Sequence, residues 1–468
     1  MDAVLLARIQ FALTAMYHFL FVPITLGLSV LLAIFWTKWA REEDDEKRLL
    51  YERIGKFWTT LFAINFAAGV VTGIVLEFEF GTNWSEYSKT VGDIFGAPLA
   101  IEAIFAFFLE SVFLGVLLFG RERVSPKFYA FSAWMVALGT NLSALWILVA
   151  NSWQQTPRGF YIENGVARLS SFLEAVINYS TPFRFTHMFL AGLITGAIFV
   201  GGISAYYILR KKHLDVAKES FKIAVTLGMV ASLLQIIAGD LHGYQVARTQ
   251  PLKLAMMENK WETEEGAGLE IVPGIEIPKL LSILAYHSPD AKVYGIHDLV
   301  KTYQKIAKGE EVKEDELPEL WLDPRQFSGR ASLYITEKDL PPTWIPFWSL
   351  RGMVFLGFFF AFITTWGFFS TIQNKLEDRK LLLRLFLISI PLPIVANILG
   401  WVVAEVGRQP WVVYYILQTK HAASPLPAGQ ILSSIILFTL IYSLVFALFV
   451  GLMVYKVKKG PEISAEVA

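Results

Sequence analysis

Two histidines and three glutamates lie within, or at the edge of, long apolar segments of this sequence. The histidines are His18 and His187, two of the seven in the chain, and the glutamates are Glu102, Glu110 and Glu405. An ionisable group in hydrocarbon costs several kcal/mol, so residues of this kind usually serve function. Both histidines and two of the glutamates fall near one end of their segments. The pattern predicts metal or haem redox chemistry close to one face of a bilayer.

The composition is that of a membrane protein. Of the 468 residues, 54% are hydrophobic and 18% are charged, whereas soluble proteins carry about 25% charged residues. The net charge of zero argues against nucleic acid as a partner. The absence of cysteine excludes iron–sulfur clusters, thiolate-ligated haem and covalently attached c-type haem. Any haem must therefore be held non-covalently by histidine, methionine or carboxylate.

Nine apolar segments are long enough to cross a bilayer as helices, which takes about 20 residues each. They are residues 11–36, 57–76, 98–119, 128–150, 185–209, 221–239, 347–369, 381–403 and 431–454. Lysine and arginine concentrate in alternate connections, as in the cluster 210–212, and such clusters mark the cytoplasmic side. We predict an all-α integral membrane protein with nine transmembrane helices, the N-terminus periplasmic and the C-terminus cytoplasmic.

One polar segment, 240–344, is too long to be a simple connection between two spans. It carries charges and Pro-Gly turns together with short amphipathic stretches such as 299–308. A loop of this length is usually functional or disordered, and its aromatic and aliphatic residues favour partial order. The chain therefore divides into spans one to six (1–239), a periplasmic loop (240–344), and spans seven to nine with a tail (345–468).

With this orientation, the candidate metal ligands share the outer leaflet. His187 begins the fifth span and Met353 lies a few residues into the seventh, while His18 is roughly 10 Å below the outer edge of the first. Histidine and methionine form a known axial pair for low-spin haem, so we predict His187 with Met353. A membrane histidine can also serve only to hydrogen-bond a neighbouring helix. A haem-copper oxidase would need more membrane histidines than these two.

The carboxylates of the third span have the spacing of a proton relay. Glu102 and Glu110 are eight residues apart, which places them on one broad face at depths that differ by roughly 12 Å. Ser143 and Asn151 in the fourth span could extend the relay. Both polar residues could equally make helix–helix hydrogen bonds. A haem-free, proton-coupled membrane transporter that uses Glu102 and Glu110 is the alternative function.

Polar residues at the outer boundary suggest two further roles. Arg351 and Arg408 could form bidentate hydrogen bonds with a haem propionate, or could reach lipid headgroups instead. In the loop, Gln250, Lys253 and Glu258 form a compact polar patch. Lysine and glutamate there could orient and deprotonate a ligand hydroxyl.

Four stretches carry a resemblance to a known family. Residues 11–19 (FALTAMYHF), 80–84 (FGTNW), 141–146 (NLSALW) and 407–411 (GRQPW) resemble subunit I of cytochrome bd quinol oxidase. The resemblance covers residues 1 to about 260 and 344 to 454, and it does not extend into the loop beyond about Gly266. It implies that membrane quinol is oxidised near the outer loop and that dioxygen is reduced to water.

The resemblance also implies cofactors and site residues. The cofactors are a low-spin haem b, a high-spin haem b, and a haem d or a third haem b. His187 and Met353 match the low-spin haem ligands, and the di-haem iron ligands match His18, Glu102 and Glu405, without a split between the two haems. Glu102, Glu110 and Glu405 then serve catalysis. The remaining matches are Arg351 and Arg408 beside the haems, Gln250, Lys253 and Glu258 for quinol, and Glu110, Ser143 and Asn151 for the proton path.

Partners and location follow from the same resemblance. It implies a second integral membrane subunit, with a single-helix accessory subunit as a further possibility, in a bacterial plasma (inner) membrane. Protons for water would come from the cytoplasm and quinol protons would be released outside. Such an oxidase generates a proton-motive force without pumping.

Overall fold

Long helices form a bundle that carries a small domain at one end. A computed structural model describes residues 2–462. The helices, in chain order, are α1 (Ala3–His18), α2 (Val22–Arg41), α3 (Asp45–Thr82), α4 (Ser85–Ile101), α5 (Phe108–Phe119), α6 (Pro126–Gln155), α7 (Phe172–Val176), α8 (Thr181–Leu209), α9 (Leu214–Thr249), α10 (Pro251–Met257), α11 (Leu280–Tyr286), α12 (Ile296–Lys308), α13 (Trp344–Ile372), α14 (Lys380–Ile388), α15 (Leu392–Val406) and α16 (Ala428–Lys459).

The predicted nine transmembrane helices are confirmed when one bent pair counts as a span. Eight helical units within residues 2–462 are long and apolar enough to cross a membrane, and the ninth is α14 with α15, bent by 47°. Pro391 and Pro393 stand at this bend, where proline lacks the N–H that a continuous helix needs. The first unit combines α1 and α2 across a short break at residues 19–21.

The sixth span is longer than the sequence indicated. We predicted its end at Gly239, but α9 continues to Thr249. The predicted boundary between the membrane part and the loop, at residues 239 and 240, therefore falls inside a helix. Asp240 interrupts the apolar pattern without interrupting the hydrogen bonding of the backbone.

The centre of the bundle is an apolar core in which α8 packs closely against α2. Trp36, Trp58 and Phe62 are fully buried there. The two helices approach at glycines: a Cβ on Gly196 would lie 2.5 Å from the backbone carbon of Gly27. Since no side chain fits at that distance, glycine allows the backbones to meet. This contact fixes the position of α8, which carries His187.

The basic connections predicted to be cytoplasmic meet at one end of the bundle. Ion pairs join them: Arg121 with Glu52 at 2.8 Å, and Arg53 with Asp215 at 2.5 Å. The C-terminal helix ends at the same place, where the hydroxyl of Tyr207 donates to the carbonyl of Val457 at 2.6 Å. This gathering supports the alternation on which the predicted orientation rests.

The opposite end carries an ordered domain formed by the long loop and neighbouring connections. Its strands form four antiparallel pairs: β1 (Phe160–Glu163) with β2 (Val166–Leu169), β3 (Glu264–Glu265) with β6 (Lys292–Val293), β4 (Leu269–Val272) with β5 (Ile275–Ile277), and β7 (Trp411–Val413) with β8 (Leu417–Gln418). Helix α12 buries Leu299, Tyr303 and Ile306, the apolar face of an amphipathic helix. The Tyr303 hydroxyl lies 3.0 Å from that of Tyr415.

Candidate functional site

One large cavity collects almost every candidate residue. Its volume is about 2290 Å³, more than twice the upper end of the usual range for a ligand pocket, roughly 300–1,000 Å³. The predicted site residues that line it are His18, Glu102, Glu110, Ser143, Asn151, His187, Lys253, Glu258, Arg351, Met353, Glu405 and Arg408. Gln250 does not line the cavity. Residues far apart in sequence, from six spans and the loop, thus share one space.

His18 is held at the end of α1, just before the break that leads into α2. Its Nδ1 atom lies 2.9 Å from the hydroxyl oxygen of Thr72 on α3. Gly73 makes room for the ring, because a Cβ there would lie 3.0 Å from the His18 Cε1 atom. A hydrogen bond at one imidazole nitrogen fixes the ring and leaves the other nitrogen for a ligand. The ring of His18 is therefore fixed at the cavity wall.

His187 and Met353 line the cavity from α8 and α13. The Nδ1 atom of His187 is buried and has no hydrogen-bond partner within residues 2–462. Gly400 on α15 admits the methionine, since a Cβ there would be 2.8 Å from the Met353 sulfur. A buried nitrogen without a partner and a thioether fitted against a glycine thus belong to residues that line the same cavity.

The two glutamates of the third span each meet a hydroxyl on α6. Ser143 donates to Glu102 Oε1 at 2.6 Å, and Thr140 donates to the carboxylate of Glu110. Residues 102–107 form a π-helical segment between α4 and α5, and such segments occur frequently at functional sites. Of the two residues predicted to extend the relay, Ser143 contacts Glu102 and Asn151 contacts Glu405, while Glu110 contacts Thr140.

Glu405 has a more polar and more cationic environment. Its Oε2 atom pairs with Arg408, and its Oε1 atom accepts a hydrogen bond from Asn151 at 3.0 Å. Arg184 donates to Asn151 at 2.5 Å. Arg408 also donates to Gln154 at 2.7 Å. Charge and hydrogen bonds together hold this carboxylate in one place.

The loop residues face inward. Lys253 is 2% exposed, and its Nζ atom donates to Gln155 at 2.5 Å and to Gln250 at 2.8 Å. Burial, and to a smaller extent the charge of Arg184, lowers the pKa of Lys253 well below its usual value. The patch predicted on the loop thus points towards the membrane part of the protein.

Glu258 is the one buried carboxylate of this patch, and Arg351 pairs with it. The guanidinium donates to Glu258 at 2.7 Å and to the carbonyl of Met257 at 2.9 Å. Burial raises the pKa of Glu258, and the positive charge of Arg351 opposes that shift. Arg351, predicted beside a haem propionate, is held by loop groups while it lines the cavity.

Sequence reasoning missed several residues of this site. His242 lines the cavity, and its ring centroid lies 5.4 Å from that of His187. It was missed because the predicted sixth span ended at Gly239, three residues before His242, whereas α9 continues to Thr249. The signal was present, since Gly239, His242 and Val246 follow helical spacing along α9 and all line the cavity. Thr140 and Gln155 carried no comparable signal.

The arrangement differs from that of a bare metal site. Within residues 2–462, no group of three or more His, Asp or Glu side chains is placed to bind a metal ion. The candidate ligands are instead spaced around a large, mostly apolar space. Such donors suit iron that arrives inside a porphyrin and needs only axial ligands.

Comparison with known proteins agrees with this geometry. The chain matches the family described as cytochrome bd terminal oxidase subunit I over residues 6–461. It belongs to that family. It is 39% identical to cytochrome bd ubiquinol oxidase subunit 1 of Bacillus subtilis (99% of this chain, 95% of that one), and 39% identical to cytochrome bd-II ubiquinol oxidase subunit 1 of Escherichia coli (98% and 97%). The bd oxidase structure from Geobacillus thermodenitrificans matches with a TM-score of 0.84 at 26% identity, covering 98% of this chain and 99% of that chain.

Membership in the cytochrome bd family settles the general activity. The protein is the first subunit of a terminal oxidase, a haem-dependent quinol:oxygen oxidoreductase of a respiratory chain, and it works with a second subunit. It is a multi-span protein of the bacterial inner membrane. Membership in this family does not support the alternative function, a haem-free proton-coupled transporter.

Proposed function

We propose that this subunit oxidises membrane quinol at its outer side and reduces dioxygen to water at a di-haem site, with protons taken from the cytoplasm. The observation that carries the proposal is the single cavity, which connects the loop residues Lys253 and Glu258 with every candidate haem ligand. A continuous space of this kind allows the donor of electrons and their acceptor to lie within one subunit.

The residues present fit haem. His18, His187 and Met353 offer donors that could bind haem iron, and within residues 2–462 no metal-binding cluster competes with them. In the same part of the chain, His187 has an unpaired Nδ1 atom. We assign His187 and Met353 to a low-spin haem b. His18, Glu102 and Glu405 would hold the other two groups, a high-spin haem b and a haem d or third haem b. Bound haem supplies electron transfer and the reduction of dioxygen.

Arg408 is the cation best placed to serve those groups. It is 5% exposed, it forms an ion pair with Glu405, and it donates a hydrogen bond to Gln154. A propionate in the cavity would find this guanidinium desolvated, where a charge-assisted hydrogen bond is strong. Arg351 would act mainly through Glu258, because its other donors already meet the carbonyls of Met257 and Glu270.

The quinol would bind at the cavity wall formed by Lys253 and Glu258, with Gln250 behind it. Glu258 is 4% exposed, and a buried carboxylate with a raised pKa is suited to take a proton from a hydroxyl. Lys253 can donate to the oxygen that remains. The protons would then leave on the outer side, close to the ordered loop domain.

The proton path would run on the α5–α6 side. Glu110 is 5% exposed and bonded to Thr140, while Ser143 supports Glu102, and Asn151 supports Glu405. Side chains that can change protonation state beside hydroxyls suit proton transfer inside a membrane. Uptake from the cytoplasm and release outside would separate charge across the bilayer without pumping.

Membrane quinol and dioxygen are the small partners in this proposal, and the second integral subunit completes the enzyme. A single-helix accessory subunit would be an additional component. Helix α16 has lipid-facing or subunit-facing surface available, since Leu440, Leu444 and Leu448 are each more than half exposed.

The test is the visible spectrum and oxygen uptake of the purified complex, compared between wild type and Met353→Leu. We expect haem bands and quinol-dependent oxygen consumption in the wild type, and loss of the low-spin reduced band in the variant. Met453→Leu on α16 is the matched control, because that methionine is buried outside the cavity. A colourless wild-type complex would refute the haem assignment, and an unchanged Met353→Leu spectrum would refute that ligand.

Orientation has its own test. The chain has no cysteine, so a single introduced cysteine reports its side of the membrane. We expect Lys212→Cys to react with an impermeant maleimide only from the cytoplasm and Lys308→Cys only from outside. The reverse labelling pattern would overturn the direction of proton movement while leaving the oxidase activity intact.

A further inference from the structure

A buried chain of hydrogen bonds connects the quinol patch of the loop with Glu405. We propose that Gln155, at the end of α6, is a positioning residue that couples occupancy of the quinol site to the di-haem site. This inference rests on the proposed function and adds to it a physical connection between the two reactions. None of the sequence features identified Gln155.

The hydrogen bonds of the Gln155 side chain determine which end of its amide is the oxygen and which is the nitrogen. Its Oε1 atom accepts hydrogen bonds from Lys253 Nζ at 2.5 Å and from Gln250 Nε2 at 3.1 Å. Its Nε2 atom donates to Glu405 Oε1 at 3.4 Å and to the carbonyl of Ala404 at 3.3 Å. Because both donors meet the oxygen and both acceptors meet the nitrogen, the reverse orientation of the amide would lose all four bonds.

Burial makes these bonds difficult to replace. Gln155 is fully buried, Gln250 is 1% exposed and Lys253 is 2% exposed. Gln155 and Gln250 do not line the cavity, so water there does not readily replace a lost partner of these amides, and an unsatisfied buried polar group costs about 1–3 kcal/mol. If Lys253 moves towards a bound quinol, the amide of Gln155 must therefore move with it or lose a hydrogen bond.

The end of α15 reinforces the connection sterically. Gly407, two residues after Glu405, lies against the stem of Lys253, and a Cβ on this glycine would be 2.9 Å from the lysine Cγ atom. The loop lysine thus contacts the Glu405 segment through its methylene groups as well as through Gln155. Two independent contacts join the same two sites.

The geometry suggests what the coupling does. When a quinol binds Lys253, the hydrogen bond from Lys253 to the Oε1 atom of Gln155 weakens. The amide then shifts, and its Nε2 atom moves relative to Glu405. Asn151 holds the same Glu405 oxygen at 3.0 Å, so Gln155 alters the balance at an already restrained carboxylate. Occupancy of the quinol site would thereby change ligand binding at the haem that Glu405 serves.

The experiment measures this effect on the intact purified complex. Carbon monoxide affinity of the reduced enzyme is titrated spectroscopically with and without heptyl-hydroxyquinoline N-oxide, a quinone analogue that is not oxidised. In the wild type, we expect the analogue to change the affinity by about fivefold, the lower end of typical allosteric coupling. In Gln155→Leu, which keeps the volume and removes the hydrogen bonds, we expect the ratio to approach one and KM for quinol to rise about fivefold.

Controls separate coupling from damage. Gln245→Leu also removes a buried amide, one that bonds Ser180 and Thr249 outside this chain of contacts, and it should keep the wild-type ratio. Gly407→Ala should reduce the ratio without removing any hydrogen-bonding group. A wild-type ratio of one, or an unchanged ratio in Gln155→Leu, would overturn the inference for an active, haem-containing oxidase. A wild-type complex without haem bands would instead refute the proposed function, and the inference with it.

Discussion

Carboxylates on two sides of the same cavity have opposite surroundings. On the α5–α6 side, Glu102 and Glu110 are each bonded to a hydroxyl. On the α15 side, Glu405 pairs with Arg408 and accepts from Asn151. A hydroxyl can accept or donate as the carboxyl gains or loses a proton, whereas a guanidinium only donates. We therefore propose that Glu110 on the first side moves protons and that the second side keeps a fixed anion. Glu258, which is buried with a single arginine, has surroundings intermediate between the two.

Removing the positive charge of Arg408, on the α15 side of the cavity, should have the largest effect on assembly and haem content. Arg408→Leu leaves Glu405 buried without its charge partner, and breaking a buried pair in this way costs about 3–5 kcal/mol. We expect little assembled complex and loss of the di-haem absorption bands, measured as yield and visible spectrum. Arg168→Leu is the control, because Arg168 is a half-exposed arginine that also pairs with a glutamate, Glu163 at 3.4 Å. Normal haem content in Arg408→Leu would show that Glu405 needs no fixed counter-charge.

The same comparison shows how far sequence reasoning reaches. Hydrocarbon penalises ionisable groups, so His18, His187, Glu102 and Glu110 stand out from their apolar neighbours without any structure. Their partners do not stand out. Thr140, Ser143 and Gln155 look like ordinary helix residues, and only the packing of α6 against other helices decides which carboxylate each one meets.

The sequence predicted that a long loop is present, but it did not predict the structure of that loop. Its length and polarity identified residues 240–344, and its apolar content suggested partial order. Its helices and strands depend on contacts with distant residues such as Tyr415, which lies against Tyr303 at a ring distance of 5.5 Å. The inward direction of Lys253 was equally hidden, because a lysine on a loop is ordinarily solvated.

Removing the charge of Glu110, on the α5–α6 side of the cavity, should slow turnover strongly without unfolding the protein. In Glu110→Gln, no cation is left unpaired and the Thr140 hydroxyl keeps an acceptor. General acid–base groups contribute about 10²–10⁴-fold to rates, so we expect oxygen uptake to fall by at least about 100-fold with a normal haem spectrum. Glu405→Gln is the contrast, where Arg408 loses its partner and the spectrum should change. Full turnover in Glu110→Gln would remove this residue from the proton path.

The intermediate case, Glu258, predicts a pH effect. Burial raises its pKa and Arg351 opposes that rise, so Arg351→Gln should raise the pKa further. A quinol proton is accepted by the charged carboxylate, and its charged fraction falls as the pH drops below the pKa. The acid limb of kcat/KM should therefore move to higher pH, with about tenfold less activity on that limb for each unit of displacement.

Arg248→Gln is the control for this pH profile. That arginine is mostly buried and pairs with the exposed Glu319 at 3.0 Å. Its charge is not among those that act on Glu258, so the acid limb should stay in place. Recovery of the Arg351→Gln variant at alkaline pH distinguishes a displaced titration from a damaged site. A displacement towards lower pH would contradict the role of Arg351 as the charge that favours ionised Glu258.

The smallest expected effect comes from the hydroxyl beside Glu110. Thr140→Val keeps the shape of the side chain and removes the hydrogen bond, which is worth about 1 kcal/mol. We expect oxygen uptake to fall about fivefold, since 1.4 kcal/mol corresponds to tenfold, and Thr140→Ser should restore it. Ser143→Ala makes the same deletion at Glu102. If Thr140→Val lowers turnover and Ser143→Ala changes the di-haem spectrum, the two glutamates differ in role although their surroundings look alike: Glu110 carries protons, and Glu102 holds a haem.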